Sequence, residues 1–177
     1  RVVVGNTKSK CDSKTNKRVY PNMTPIQMAT LDHLIVNPFW NVPQRVIDEE
    51  NLPEVKKNPD YLAQKDYEWI GEGSTRRMRQ RPGDGNALGK VKFIFPNRHN
   101  TYMHDTPMKK YFNYSIRAFS HGCVRVHTPV ELAKYLIAKD ELLTEDELMS
   151  VMDAGKSKKF DLKTKMPVFF EYYVVRV

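Results

Sequence analysis

The stretch Arg117-Ala118-Phe119-Ser120-His121-Gly122-Cys123-Val124-Arg125-Val126 decides how this chain is read. A thiol is a useful nucleophile only as thiolate, and a nearby imidazole or other positive charge lowers its pKa toward neutrality. Gly122 stands directly before the thiol. A glycine there lets the chain turn sharply and bring backbone N–H groups near a reacting carbonyl, which is how an oxyanion hole is built. Arg125 follows Cys123 by two residues, so in an extended stretch both point to one side. A guanidinium at that position can grip a substrate carboxylate through two hydrogen bonds. Two histidines are candidate bases. His121 is adjacent in sequence, whereas His104 lies on a predicted strand over residues 101–106, nineteen residues before Cys123. Tyr102 is two residues from His104 and shares its face.

The same residues admit other chemistries. A lone cysteine is more often a small buried hydrophobe than a nucleophile. His104, His121, Cys123 and His127 are all zinc-ligand types. The chain has no Cys-x-x-Cys pair and no His-Glu-x-x-His helix, so a zinc site is disfavoured and no metal or other cofactor is expected. Cys11 reads as an exposed loop thiol; a bridge from it to Cys123 would block any thiol chemistry. An activated Cys123 is expected to alkylate near neutral pH much faster than Cys11.

Outward from the motif, the 177 residues are the size of one domain, 1–177, large enough to bury a core without disulfide or metal staples. Hydrophobic residues at 40% and charged residues at 28% describe a globular chain. No apolar run approaches the roughly 20 residues of a membrane span. The chain opens at Arg1 with no signal peptide and reads as a mature or trimmed piece. A net charge of +8 favours anionic partners such as nucleic acid, anionic lipid or an acidic polymer. The densest lysine run, 156–165, has no arginine stripe and no regularly interleaved aromatics, which describes a solvated face rather than a nucleic-acid groove.

Strands are predicted at 1–4, closed by Gly5, and at 31–36, 91–95, 101–106 and 168–177, with a loop over 6–22. Pro38 and Pro43 exclude regular helix across 37–43. Short helices follow over 43–65, with Pro43 in a first turn and Asn58 as an N-cap. They predict a helical insertion near 43–70. Thr128-x-x-Glu131 and Thr144-x-x-Glu147 are two predicted capping boxes. Leu132, Ala133, Leu136 and Ile137 form one helical face, and Gly155 a helix stop. The fold class is therefore mainly β with flanking helices (α+β). Trp40 and Trp69 are read as packing residues, and His33, His99 and His127 as ordinary surface or loop residues.

Taken together, the motifs resemble the L,D-transpeptidases with the YkuD-type catalytic domain, in the YcbB-like branch that bears a lid. The resemblance rests on Val-Val-Val-Gly at 2–5, Asn-Pro-Phe-Trp-Asn-Val-Pro at 37–43 and Asn-Ala-Leu-Gly-Lys-Val-Lys-Phe at 86–93. Phe-Pro-Asn at 95–97, Tyr-Met-His-Asp-Thr-Pro at 102–107 and the stretch at 117–126 complete it. It implies a β-sandwich catalytic domain with a small helical lid at 43–78, its first strands apparently missing. It also implies periplasmic cell-wall biogenesis that bears on cell shape. There the cysteine takes a peptidoglycan tetrapeptide stem, expels D-Ala through a thioester and forms a diaminopimelate-to-diaminopimelate crosslink. By position, Cys123 is the nucleophile, His104 the base, and Gly122 and Cys123 the backbone oxyanion donors. Tyr102, Arg125, His121 and Ser120 line the substrate side. Carbapenem β-lactams are the implied covalent inhibitors. The alternatives are an L,D-carboxypeptidase or D-amino-acid exchange enzyme on the same stems, or a non-catalytic wall-binding module. Arg125 stands where many relatives carry Asn, and the loop at 8–21 is longer than the resemblance implies.

Overall fold

A computed structural model of the chain describes residues 1–172. Its spine is three antiparallel strands whose apolar residues alternate with polar ones. β4 (Gln27–Val36) lies between β8 (Val91–Ile94) and β12 (Lys158–Phe170). Leu34, Val36, Val91, Phe93, Phe160 and Leu162 are buried in one core with α4 (Pro129–Lys139) and α5 (Glu145–Asp153). Each such side chain contributes about 1.5–3 kcal/mol on burial, so this layer carries most of the stability. β12 starts at Lys158, ten residues before the strand expected over 168–177. It lies at the edge of the sheet, where its lysines reach solvent while Phe160 and Leu162 point inward. Residues 173–177 of that expected strand lie outside the described residues.

The two helices differ at their starts. Thr144 accepts the Glu147 N–H while Glu147 accepts the Thr144 N–H, so the second capping box forms. The first does not. Thr128 precedes α4 but its side chain makes no cap bond, and Glu131 turns to Lys134 instead. Gly155, at φ +67, ends α5 as predicted. Asn37 then reaches the freed carbonyls of Val151 and Met152 with its side-chain amide.

The sheet continues from β8 through β9 (Met103–His104), β11 (Val124–Val126) and β1 (Val2–Gly5) to β10 (Ala118–Ser120), making seven strands. β9 is shorter than the strand expected over 101–106. β1 pairs antiparallel with β11 through Val2 and Val3, then parallel with β10 through Val4 and Gly5. A Cβ on Gly5 would lie 1.8 Å from the Asn22 carbonyl oxygen, so only glycine admits the 22–24 segment here. The expected loop over 6–22 contains a small hairpin, β2 (Lys10–Cys11) with β3 (Arg18–Val19).

The segment expected to be a helical insert, 43–78, also carries strands, in a sheet that draws in residues on both sides of it, 40–41 and 79–80. β5 (Trp40–Asn41), β7 (Arg77–Gln80) and β6 (Tyr67–Ile70) form a separate three-stranded sheet. Helical chain runs from α1 (Gln44–Val46) through a π-turn (Ile47–Asn51) into α2 (Leu52–Lys57), followed by α3 (Tyr61–Gln64). Pro53 explains the π-turn: it has no N–H for the Glu49 carbonyl, and its ring crowds that carbonyl, so the helix widens just before it. α3 begins after Asp60, two residues later than the Asn58 cap predicted, although the Asn58 side chain accepts the Asp60 N–H. Val42, Val46, Ile47 and Met78 are the buried centre of this insert.

Candidate active site

The parallel pairing of β9 with β11 assembles the site. Arg125 is the register partner of His104, and the Val124 N–H donates to the Tyr102 carbonyl at 3.0 Å. Strand alternation then puts Tyr102 and His104 on one face of the chain, as it does Cys123 and Arg125. All four open on one cavity of about 270 Å³. On its far side stand Trp40, Val46, Glu50 and Tyr67 from the insert. β8 adds a residue that the sequence reading missed: Lys92 is the register partner of His104 on the opposite flank. Lys92, His104 and Arg125 therefore form a row across three strands. The strand pattern carried a signal for it. Val91 and Phe93 face the core, so Lys92 faces the other way, toward whatever β9 presents.

His104 is 5% exposed. Its Nδ1 is hydrogen-bonded to the Asp105 backbone carbonyl. A carbonyl only accepts, so Nδ1 carries the proton and Nε2 keeps its lone pair. Burial first, then the charges of Arg125 and Lys92, push the imidazole down to about 3. It is neutral at physiological pH. The Asp105 carboxylate fixes this corner by accepting the Lys90 and Thr106 N–H groups and the Lys109 ammonium.

The Cys123 thiol is half-buried, and burial pushes it up. Hydrogen bonds from the Tyr102 backbone N–H and phenol oppose that shift, as do the charges of Lys92 and Arg125. The phenol is itself raised by burial, so it stays protonated and able to donate. The Trp40 side chain hydrogen-bonds the phenol from the insert. Indole is a donor only, so the hydrogen bonds run from Trp40 to Tyr102 to the sulfur. Trp40 is thus more than the packing residue the sequence suggested.

Arg125 has Nε and Nη1 buried with no hydrogen-bond partner among the described residues. Its guanidinium lies 5.7 Å from the Tyr111 ring centroid. A buried, unpartnered guanidinium costs stability unless an anion arrives to satisfy it.

The turn between β10 and β11 is held from within. Ser120 Oγ accepts the Gly122 N–H at 3.1 Å and donates to the Cys123 carbonyl at 2.5 Å. Its hydroxyl is engaged in the turn, where the sequence had placed it among substrate contacts. The same bond takes the Gly122 N–H, which was expected to serve as an oxyanion donor. Gly122 sits at φ +120, a conformation that requires glycine. His121 Nε2 meets Glu50 Oε1 of the π-turn at 2.7 Å, tying the motif to the insert rather than facing the thiol as a base. His127 packs edge-on against Phe112. Asp32, His33 and Asp161 are the His/Cys/Asp/Glu group whose atoms converge among the described residues, and Lys165 already bonds Asp32. It shares no residue with the zinc set weighed above. Both cysteines are free.

Compared with known proteins, residues 1–147 match the YkuD family, described as the L,D-transpeptidase catalytic domain. The chain is also 35% identical over 191 residues to a Haemophilus influenzae protein that bears the name L,D-transpeptidase by assignment. That match covers 98% of this chain and 36% of the relative, so the chain spans about a third of that relative's length.

Proposed function

The chain belongs to the YkuD family of L,D-transpeptidase catalytic domains, and from that premise we propose that it is a peptidoglycan L,D-transpeptidase acting through a Cys123 thioester. The observation that carries the reading is the cavity itself. It holds a thiol hydrogen-bonded by Tyr102, a neutral imidazole with a free Nε2, and an unsatisfied guanidinium. The donor is a tetrapeptide stem. Cys123 Sγ attacks the carbonyl at the L-centre of diaminopimelate, its proton passes to His104 Nε2, and the carbonyl oxygen becomes an oxyanion. Collapse breaks the C–N bond, and D-Ala leaves as an amine carrying the proton from His104. The side-chain amine of a second stem then attacks the thioester, gives a proton to His104 and releases the thiolate, which takes that proton back. The product is a diaminopimelate-to-diaminopimelate crosslink.

In this reading Arg125 and Lys92 hold the anionic end of the donor, Tyr102 lines the sulfur, and the insert at 43–78 is a lid. No metal or cofactor takes part. Carbapenems acylate the same sulfur, and the work is done in the bacterial periplasm. No helix among the described residues is long and apolar enough to cross a membrane.

The test is mass spectrometry of products from purified disaccharide-tetrapeptide, comparing the protein with Cys123→Ala. Crosslinked dimer with released D-Ala, absent in the variant, is the expected result. Tripeptide without dimer would make water the acceptor and the protein an L,D-carboxypeptidase. Activity retained by Cys123→Ala would sink the mechanism.

A further inference from the structure

Thr24 is 2% exposed and belongs to none of the motifs around the thiol. Its hydroxyl nevertheless sits at the centre of the turn that bears it. Thr24 Oγ1 accepts the Gly5 N–H at 2.8 Å and donates to the Gly122 carbonyl, also at 2.8 Å. A hydroxyl has one hydrogen, and the Gly5 N–H can only donate, so the polarity of this chain is fixed: Gly5 to Thr24 to Gly122. The Gly122 carbonyl belongs to the same planar, trans peptide unit as the Cys123 N–H, and in such a unit the two point in opposite directions. Holding the carbonyl on Thr24 therefore holds the Cys123 N–H facing away from Thr24. That N–H makes no hydrogen bond among the described residues. The neighbouring Gly122 N–H is taken by Ser120.

We propose that Thr24 is a positioning residue for acyl transfer, aiming the Cys123 N–H as the turn's remaining oxyanion donor. This rests on the reading of Cys123 as the acyl-transfer nucleophile. The geometry also gives Gly5 a purpose. A side chain at residue 5 would collide with the Asn22 carbonyl and the Thr24 amide, so glycine is what lets Thr24 reach the turn. The Gly5 N–H then orients the hydroxyl so that its hydrogen faces Gly122. Gly122 holds φ +120 in the turn whose carbonyl Thr24 bonds.

The experiment compares Thr24→Val, which keeps the shape and removes the hydroxyl, with Thr24→Ser, which keeps the hydroxyl. Two reactions of the same sulfur are followed: acylation by disaccharide-tetrapeptide, and alkylation by iodoacetamide. Acylation develops charge on a carbonyl oxygen; displacement of iodide does not. A mis-aimed oxyanion donor should lower kcat for acyl transfer by about 10–100-fold in Thr24→Val. KM and the Cys123 alkylation rate should hold, and Thr24→Ser should recover the rate. Wild-type acylation in Thr24→Val would overturn the proposal. So would parallel losses in both reactions that Thr24→Ser fails to restore, because Thr24 would then merely support the loop. A wild-type protein that alkylates but never acylates would instead bring down the thioester reading, and this inference with it.

Discussion

At His104 the protein holds an imidazole between Lys92 and Arg125, and both neighbours favour its neutral form. The same two cations lower the Cys123 thiol, while burial raises it, with the net shift upward. The resting site therefore pairs a neutral thiol with a neutral imidazole. The sequence reading made faster alkylation of Cys123 than of Cys11 the mark of an activated thiol, and in this site activation depends on His104 taking the proton. The motif shows that an imidazole is near; it does not show that both partners lose water. Substrate changes the balance. In the proposed mechanism, a donor carboxylate on Arg125 would offset part of the positive charge that, after burial, depresses His104, and so make Nε2 a better base. The neutral imidazole also has a consequence for stability. It ionises near 6.5 when exposed and at about 3 in the fold, so between those values the unfolded chain binds more protons. Stability is complete above pH 6.5 and falls as pH drops toward about 3. At about 1.36 kcal/mol per unit, the loss amounts to a few kcal/mol. Urea midpoints followed downward from neutral pH should fall more steeply for the wild type than for His104→Gln. Parallel slopes would mean that the imidazole is not held neutral.

Among the elements, the two Thr-x-x-Glu sequences separate what a pattern says from what a backbone does. Thr144 and Glu147 bond reciprocally, whereas Thr128 stands at φ −117 and ψ 65 with no cap bond. Thr144→Ala should cost about 1 kcal/mol, and Thr128→Ala close to nothing. Paired denaturation curves will resolve the difference, and equal losses would refute the assignment of caps. The rest of the fold divides along the same line. Strands whose alternation was clean, such as 91–95, were readable, as was the face formed by Ala133, Leu136 and Ile137. β12 was placed too late because lysines at 158, 159, 163 and 165 resemble a solvated loop. They are equally at home on an edge strand, and only the pairing of Lys158 with Val36 decides between the two. In the site, residues within a few positions of Cys123 were legible from local spacing. Lys92 and Thr24 reach it through strand register and a bond spanning 98 residues. Alternation along 91–94 tells which face Lys92 takes but not that His104 lies opposite it, and no local pattern encodes Thr24.

For the whole molecule, the decisive feature is two hydrophobic clusters of unequal size, of which only the smaller reaches the cavity, through Val46, Trp40 and Tyr67. The larger includes Leu34, Phe93, Leu136 and Phe160; the smaller is centred on Val42, Val46, Ile47 and Met78. The insert reaches the larger body through a few polar links: Glu50 to His121, Arg45 to Asn22, and Trp40 to Tyr102. Polar links at partly exposed positions are weak, about 0–1 kcal/mol for an exposed ion pair. The insert should thus open more easily than the sheet that carries Cys123. Two of the three links end on the nucleophile turn or on the tyrosine that bonds the sulfur, so opening also loosens the reacting group. In the proposed mechanism, an acyl group on Cys123 would enter this cavity and give its apolar wall, Val46 and Tyr67, something to close on. Hydrogen exchange should therefore show faster exchange in β5, β6 and β7 than in β4, β8 and β12 in the free protein. Acylation by tetrapeptide or a carbapenem should slow the insert selectively and leave β12 unchanged. An insert protected as strongly as β4 from the outset, with no further slowing on acylation, would make it a fixed wall and not a lid. Donor choice would then be set by a rigid cavity, with no closing step to distinguish a stem peptide from water.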